Sequence, residues 1–397
     1  MKDICIIGAG PSGLTAAIIA ARKGKKVTII ERNEKCAKKL LITGNGRCNY
    51  YNENQDIKHY HSNNPNLIKN IINKENINKV KEFFKSLEII PKIIDGYYYP
   101  ITNQAQTIYN ALIYEIEKLN IEIIYGLKVE EIKKEEYYII NPKKEKIISR
   151  NILLATGGKS APKTGSDGIG YKILENLNHK IIEPLPALVK LKGNEKYFKK
   201  WNGIRTDVIL KLYEDEKLIK EEKGQIQLTD NGISGIAAFN LSTHITKNIG
   251  KKEEKIMINF MPWLNENPYE FMKRMTKLNL TISKTLERFL NYKLVNIILK
   301  KANIKTDNFK KLSNKDLSKL IRTLTNFEII ITDVGSLEKA QITKGGLPLN
   351  EINLNKMESL KNKNLFISGE IIDIDADCGG YNLTLAWITG IIAGENI

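Results

Sequence analysis

Four cysteines and four histidines are all the thiols and imidazoles that 397 residues offer for disulfides or a zinc site. Cys5, Cys36, Cys48 and Cys378 form no closely spaced pair, which argues against a disulfide framework and a zinc site and for a reducing, cytoplasmic setting. No apolar run approaches the roughly 18 residues that span a bilayer. The start, Met1 to Gly10, has too few apolar residues for a secretory leader, so an untargeted soluble protein is expected, with no membrane and no metal. Acidic residues are also scarce, 45 against 62 basic, for a net charge of +17. Part of that excess is compositional, since the chain is rich in Ile, Asn and Lys throughout. A glycine signature of the G-x-G-x-x-G type follows a strand only once, so a dedicated nicotinamide domain is not visible.

What the sequence does carry begins at residue 3. "DICIIGAGPSGLTAAIIAARKGKKVTIIERN" reads as strand, glycine turn, helix, strand and acidic residue. Gly8 permits the tight turn, Gly10 lets the backbone approach a pyrophosphate, and Gly13 lets helix and strand pack closely. The helix N-terminus supplies free N–H groups and a favourable dipole for phosphate. Glu31, 23 residues after Gly8, ends the second strand and is placed to accept from a ribose hydroxyl, which disfavours a 2′-phosphate. A dinucleotide site follows, with NAD and FAD both open on this motif.

Later segments favour FAD. "RNILLATGGKSA" is a buried strand ending at Thr156, Gly157 and Gly158, and "NLFISGE" is another ending at Gly369 and Glu370. A strand that returns some 200 residues later suits FAD, because its acid can bind the ribityl chain. The helix that Gly379 and Gly380 open can stabilise negative charge on reduced flavin.

In order and spacing, "GAGPSG", "KKLLITGNGRCN", "ATGGKSAPKTGSDGIGY", "NGISG" and "GEIIDID…GGYNL" resemble the BaiN/RdsA family of FAD-dependent oxidoreductases over essentially the whole chain. The resemblance implies an α/β fold, a Rossmann-like FAD-binding domain with an inserted β-barrel plus helical domain. The boundaries expected are 1–188 and 343–397 for the FAD-binding domain and 189–342 for the insert, with the barrel at 189–262 and 326–342 and the helices at 263–325. The cofactor set it implies is Gly8, Gly10, Pro11, Ser12, Gly13, Glu31, Arg32, Lys39, Gly44, Gly46, Arg47, Cys48, Val129, Thr156, Gly157, Gly158, Gly369, Glu370, Asp373, Gly379, Gly380, Tyr381 and Asn382. Lys39 to Asn49 would carry the chain along the cofactor toward the isoalloxazine, with Arg47 serving the pyrophosphate or the reduced flavin. Cys48 is expected to pack. Cys378, just before the glycine pair, is a candidate proton donor or a small packing residue, and a helix N-terminus there would lower its pKa.

The insert can be read directly. Val208, Leu210 and Leu212 alternate, as do Ile256, Ile258 and Phe260, like half-buried strands. Leu317, Leu320, Ile321 and Leu324 have helical spacing behind a Ser313–Asp316 capping box, and Leu286, Phe289, Leu290, Leu294 and Ile297 read as a second helical stripe. From Trp263 to Thr325 there are 14 Lys and Arg against 5 Asp and Glu, either an interaction face or a lysine-rich soluble surface.

The family's two activities, on uridine in large-subunit ribosomal RNA and on an unsaturated 3-oxo bile acid, share one chemistry: hydride at the β carbon and a proton at the α carbon of a conjugated carbonyl. NADH or NADPH is the expected electron donor. RNA is the expected substrate, from the basic segment and from Tyr97, Tyr98 and Tyr99 as stacking residues, whose plainer reading is a partly buried strand. A small-molecule enone, and a flavin-bearing RNA-binding or assembly factor, stay open. A folate-dependent uridine methyltransferase fits worse, because its motifs are missing. Two departures from the family bear on substrate: Gly96 is followed by Tyr97-Tyr98-Tyr99 rather than Arg-Val-Phe, and Asp230-Asn231 stand where a Thr-His is common.

Overall fold

Lys2–Ile7 and Val27–Glu31 are short runs of β-branched residues buried on both faces, the pattern of strands inside a parallel sheet. In the computed structural model, which describes residues 1–143, 145–245, 249–250 and 253–397, they lie side by side. The parallel core runs in the order Leu365–Ile367, Ile147–Leu154, Lys2–Ile7, Val27–Glu31, Glu122–Tyr125. The strand that returns late in the chain therefore pairs with Ile147–Leu154, placing Leu153 opposite Phe366. Between the first two strands the chain forms the helix Pro11–Arg22, with proline where a missing N–H costs nothing. The C-terminal helix Tyr381–Asn396 packs on it at very short range: a Cβ on Gly390 or Gly394 would lie 2.6 Å from Ser12 O or 2.5 Å from Ala16 O. Only glycine allows that approach.

The chain divides into two units, Met1–Ala187 with Leu337–Ile397, and Leu188–Ser336. The sequence reading draws the second boundary after residue 342 instead. Residues from 337 onward lie with the first unit because Ile342–Gly346 pairs with Ile182–Ala187 and Leu337 O accepts from Ala161 N.

The second unit holds the β-barrel. Its strands run in the order Phe327–Ile331, Glu254–Asn259, Arg205–Glu214, Lys217–Thr229, Gly232–Ser234, Leu191–Lys192, Asp333–Val334. Thr332 alone separates the first of these from the last, and its N–H donates to Lys192 O at 2.9 Å, so one bent run of chain joins both edges and closes the sheet. Val208, Leu210, Leu212, Ile256, Ile258 and Phe260 fill its interior. The unit's helices are Phe198–Trp201 and Ile236–Ile245, inside the segment read as barrel, and Pro268–Met275, Ile282–Leu286, Tyr292–Lys301 and Asn314–Thr325. The expected capping box is present: Ser313 Oγ accepts from Asp316 N at 3.1 Å and donates to Asp316 Oδ2 at 2.8 Å. The single stripe from Leu286 to Ile297 is not one helix. Leu286 ends one and Leu294 belongs to the next, because Asn291 caps a new start by accepting from Lys293 N. Apolar periodicity carries across such a turn without revealing it.

Candidate functional site

The cleft of the first unit begins at the glycine turn, where the three glycines have three different surroundings. A Cβ on Gly8 would lie 2.5 Å from Ala155 O, and one on Gly13 would lie 2.0 Å from Gly8 O. One on Gly10 would meet nothing within 4 Å. Gly8 and Gly13 are thus required by the protein's own packing, whereas Gly10 borders the cleft wall and leaves its space open. Glu31 closes this end. Its buried carboxylate accepts from Ala9 N at 2.9 Å and from Asn33 N and Nδ2 at 2.8 and 2.7 Å, which fixes the side chain and leaves acceptor capacity toward the cleft.

Further along the wall, Lys39 Nζ bonds to both Glu370 Oε2 and Ser160 Oγ at 2.6 Å. Glu370 Oε1 accepts from Ser160 Oγ at 2.6 Å and from Thr343 N and Oγ1, both at 2.9 Å. Residues far apart in sequence, 39, 160, 343 and 370, are thereby locked into one half-buried network. The first two turns of the C-terminal helix add Asn382, Leu383, Leu385 and Ala386 to the wall, and Asn382 holds the preceding turn by pairing with Ala376 N and O.

Of the residues expected at a cofactor, Gly8, Gly10, Pro11, Ser12, Glu31, Arg32, Lys39, Val129, Thr156, Gly157, Glu370 and Asn382 line this cleft. The others stand behind or beside it. Gly13, Gly158 and Gly369 sit behind the wall, since a Cβ on Gly158 would strike Thr343 and Glu370 and one on Gly369 would strike Ser12 Oγ. Gly44 and Gly46 lie in a turn of positive φ. Arg47, expected at the pyrophosphate or flavin, is exposed: its Nε donates to Gly44 O at 3.2 Å and its guanidinium lies 5.2 Å over the Tyr99 ring. Cys48 is fully buried, and burial pushes its thiol up to about 12, as packing requires.

Asp373, Gly379, Gly380, Tyr381 and Cys378 belong to a loop clamped from the other side. Asp373 accepts from Ser62 Oγ and from Asn63 N and Nδ2, while burial raises its pKa. Asp377, 3% exposed, bridges His59 Nδ1 at 2.9 Å and His61 Nε2 at 3.0 Å. Tyr381 stacks on His59 with ring centroids 4.5 Å apart. Cys378 is half-buried, and desolvation, reinforced by Asp377, pushes its thiol up to about 11. This reverses the lowering expected from the helix N-terminus, because the cost of burying the charge and the adjacent carboxylate both oppose the thiolate.

Sequence reasoning missed Asn33, Ser160, Thr343, His59, His61 and Asp377. Asn33 was within reach, two residues from Glu31. The others meet their partners only through the fold. Among the described residues, no three His, Cys, Asp or Glu side chains are grouped to hold a metal, and no helix is long and apolar enough to cross a membrane.

A family model described as the HI0933-like protein Rossmann domain matches residues 2–396. The chain is 34% identical over 405 residues to the 3-dehydro-bile acid delta(4,6)-reductase of Clostridium scindens, covering 100% of this chain and 98% of that one. It is 26% identical over 406 residues to the ribosomal RNA dihydrouridine synthase of Escherichia coli, again covering 100% and 98%. Among solved structures, the open conformation of a flavocytochrome c3 fumarate reductase shares the fold, with a TM-score of 0.51 at 14% identity over 100% of this chain and 78% of that one.

Proposed function

The chain belongs to the HI0933-like family, the BaiN/RdsA family of FAD-dependent oxidoreductases, and from that premise we propose that it reduces uridine to dihydrouridine in large-subunit ribosomal RNA. FAD, when bound, would supply the hydride chemistry, with NADH or NADPH as its electron donor. The observation that carries cofactor placement is the open side of Gly10, which a pyrophosphate fills at the N-terminus of the Pro11–Arg22 helix. Glu31 would then accept from the adenosine ribose. Glu370, oriented by Lys39, Ser160 and Thr343, would hold the ribityl chain, and the N-terminus of the C-terminal helix would stabilise negative charge on reduced flavin.

The substrate class rests on the 14 basic against 5 acidic residues of 263–325. Arg274 and Lys319 are paired with Glu266 and Asp316. Lys273, Lys277, Lys284, Arg288, Lys293 and Lys315 have no ion-pair partner among the described residues, which leaves their charge for phosphates. A second reading, reduction of a small-molecule enone, is favoured by the full-length likeness to a bile-acid reductase. The chemistry is common to both, since uracil C5=C6 is conjugated to its C4 carbonyl as a steroid alkene is to its 3-oxo group. Mass spectrometry of ribosomal RNA from a deletion strain, with and without the restored gene, separates them. Loss of one dihydrouridine that the gene restores is expected, and an unchanged content ends the RNA reading.

A further inference from the structure

A second cavity in the first unit, of about 550 Å³, opens beside the small sheet formed by Tyr51–Asn52, Tyr97–Pro100 and Pro91–Ile94. Its volume falls within the roughly 300–1,000 Å³ of small-ligand sites. Side chains alternate along Tyr97–Pro100. Tyr97 packs toward the Gly379 turn, where a Cβ would lie 2.9 Å from its ring, and Tyr98 faces the cavity. Only a layer of sheet separates the two, because a Cβ on Gly380 would lie 3.0 Å from the Tyr51 backbone.

The lining combines two features. The walls are aromatic and apolar: the Tyr51 and Tyr98 rings meet edge to face at 5.0 Å, with Tyr50 and Phe84 beside them. The Tyr51 hydroxyl is itself shut off from solvent, on a residue 2% exposed, so the cavity is offered the ring and not the hydroxyl. At the rim stand Lys81 and Lys85, both exposed and without an ion-pair partner among the described residues, against one acid, Glu88. Lys81 Nζ lies 5.6 Å over the Tyr51 ring.

We propose that this cavity is a subsite for one nucleotide of single-stranded RNA, its base held among the tyrosines and its phosphates by Lys81 and Lys85. Rings for a base and two lysines at the mouth are the parts single-stranded recognition uses. The inference rests on the RNA reading and adds to it a neighbouring subsite that fixes which strand segment enters.

The test measures binding of a short fluorescent oligouridylate to the FAD-loaded full chain over a range of salt. Tyr98→Leu should weaken binding roughly ten-fold, the scale of one lost stacking contact. Lys81→Ala and Lys85→Ala, on an exposed helix face, should each flatten the slope of log affinity against log salt by about 0.7. All three should keep their flavin absorbance. If the wild type binds and the lysine variants match it in affinity and slope, the subsite is overturned while the RNA reading stands. No binding by the wild type overturns both. Saturable binding of cholate that Tyr98→Leu abolishes, with oligouridylate binding unaffected, would give the cavity to an apolar acid and overturn the proposal.

Discussion

Gly10 and Gly13 are three residues apart in one motif, yet the surroundings of their absent side chains predict opposite failures. Gly10→Val adds atoms where the protein has none within 4 Å. Its stability should stay within about 0.5 kcal/mol of the FAD-free wild type, while the purified protein loses its yellow colour. Full flavin occupancy would refute the phosphate placement. Gly13→Ala forces a Cβ to within 2.0 Å of Gly8 O and should cost at least about 1–3 kcal/mol by chemical denaturation. Asp375 gives a residue-scale pH effect. Its carboxyl is 1% exposed, both oxygens lack partners, and burial raises its pKa to about 6 against an ordinary 3.8. Because the folded value is the higher one, its contribution to stability is complete below about pH 4 and is lost as pH rises through about 6. Asp375→Asn should therefore stabilise the protein at pH 8, by up to about 3 kcal/mol, and change little at pH 4. Thermal unfolding at the two pH values decides it, and an equal effect at both would deny the burial argument. For Cys378, a thiol pushed up to about 11 keeps its proton but sits far from the neutral range in which a general acid works best. Cys378→Ala should leave flavin reduction and substrate reduction near wild type. A fall of about 10²–10⁴ in the second step alone would make it the acid after all.

Among the elements, the helix Asn314–Thr325 shows how local chemistry sets a boundary that periodicity leaves loose. Ser313 satisfies an N–H that no helical carbonyl reaches, and Leu317, Leu320 and Leu324 lie buried behind it. Ser313→Ala should cost about 1 kcal/mol in a urea titration, and Ser313→Asp should restore most of it. The turn at 287–291 shows the converse. Its start signal is Asn291, an ordinary polar residue in an asparagine-rich chain, so the cap is visible only once the backbone is.

On the scale of the molecule, the electron supply and the charge remain to be joined to the cleft. NADH or NADPH should bleach the flavin in stopped flow without a built-in nicotinamide domain. Reduction by light but by neither nucleotide would point to another donor. RNA affinity should fall steeply with salt, as basic residues exchange phosphates for counterions. A salt-independent interaction would leave the +9 of residues 263–325 as a solubility feature.

By itself the sequence determined whatever rests on neighbours along the chain: the strand, turn and helix around Gly8 to Gly13, Glu31 at the strand end, the alternating barrel strands and the Ser313 cap. Steric and hydrogen-bonding demands within a few residues leave few alternatives there, and the family motifs extended that reading to the cofactor. Tertiary structure alone decided which distant groups meet. Lys39, Ser160, Thr343 and Glu370 form one network, Asp377 lies between two histidines, and Arg47 settles on Tyr99 rather than in the cleft. It also reversed the expected direction at Cys378. A thiol's pKa follows the water it loses and the charges brought beside it, and folding decides both.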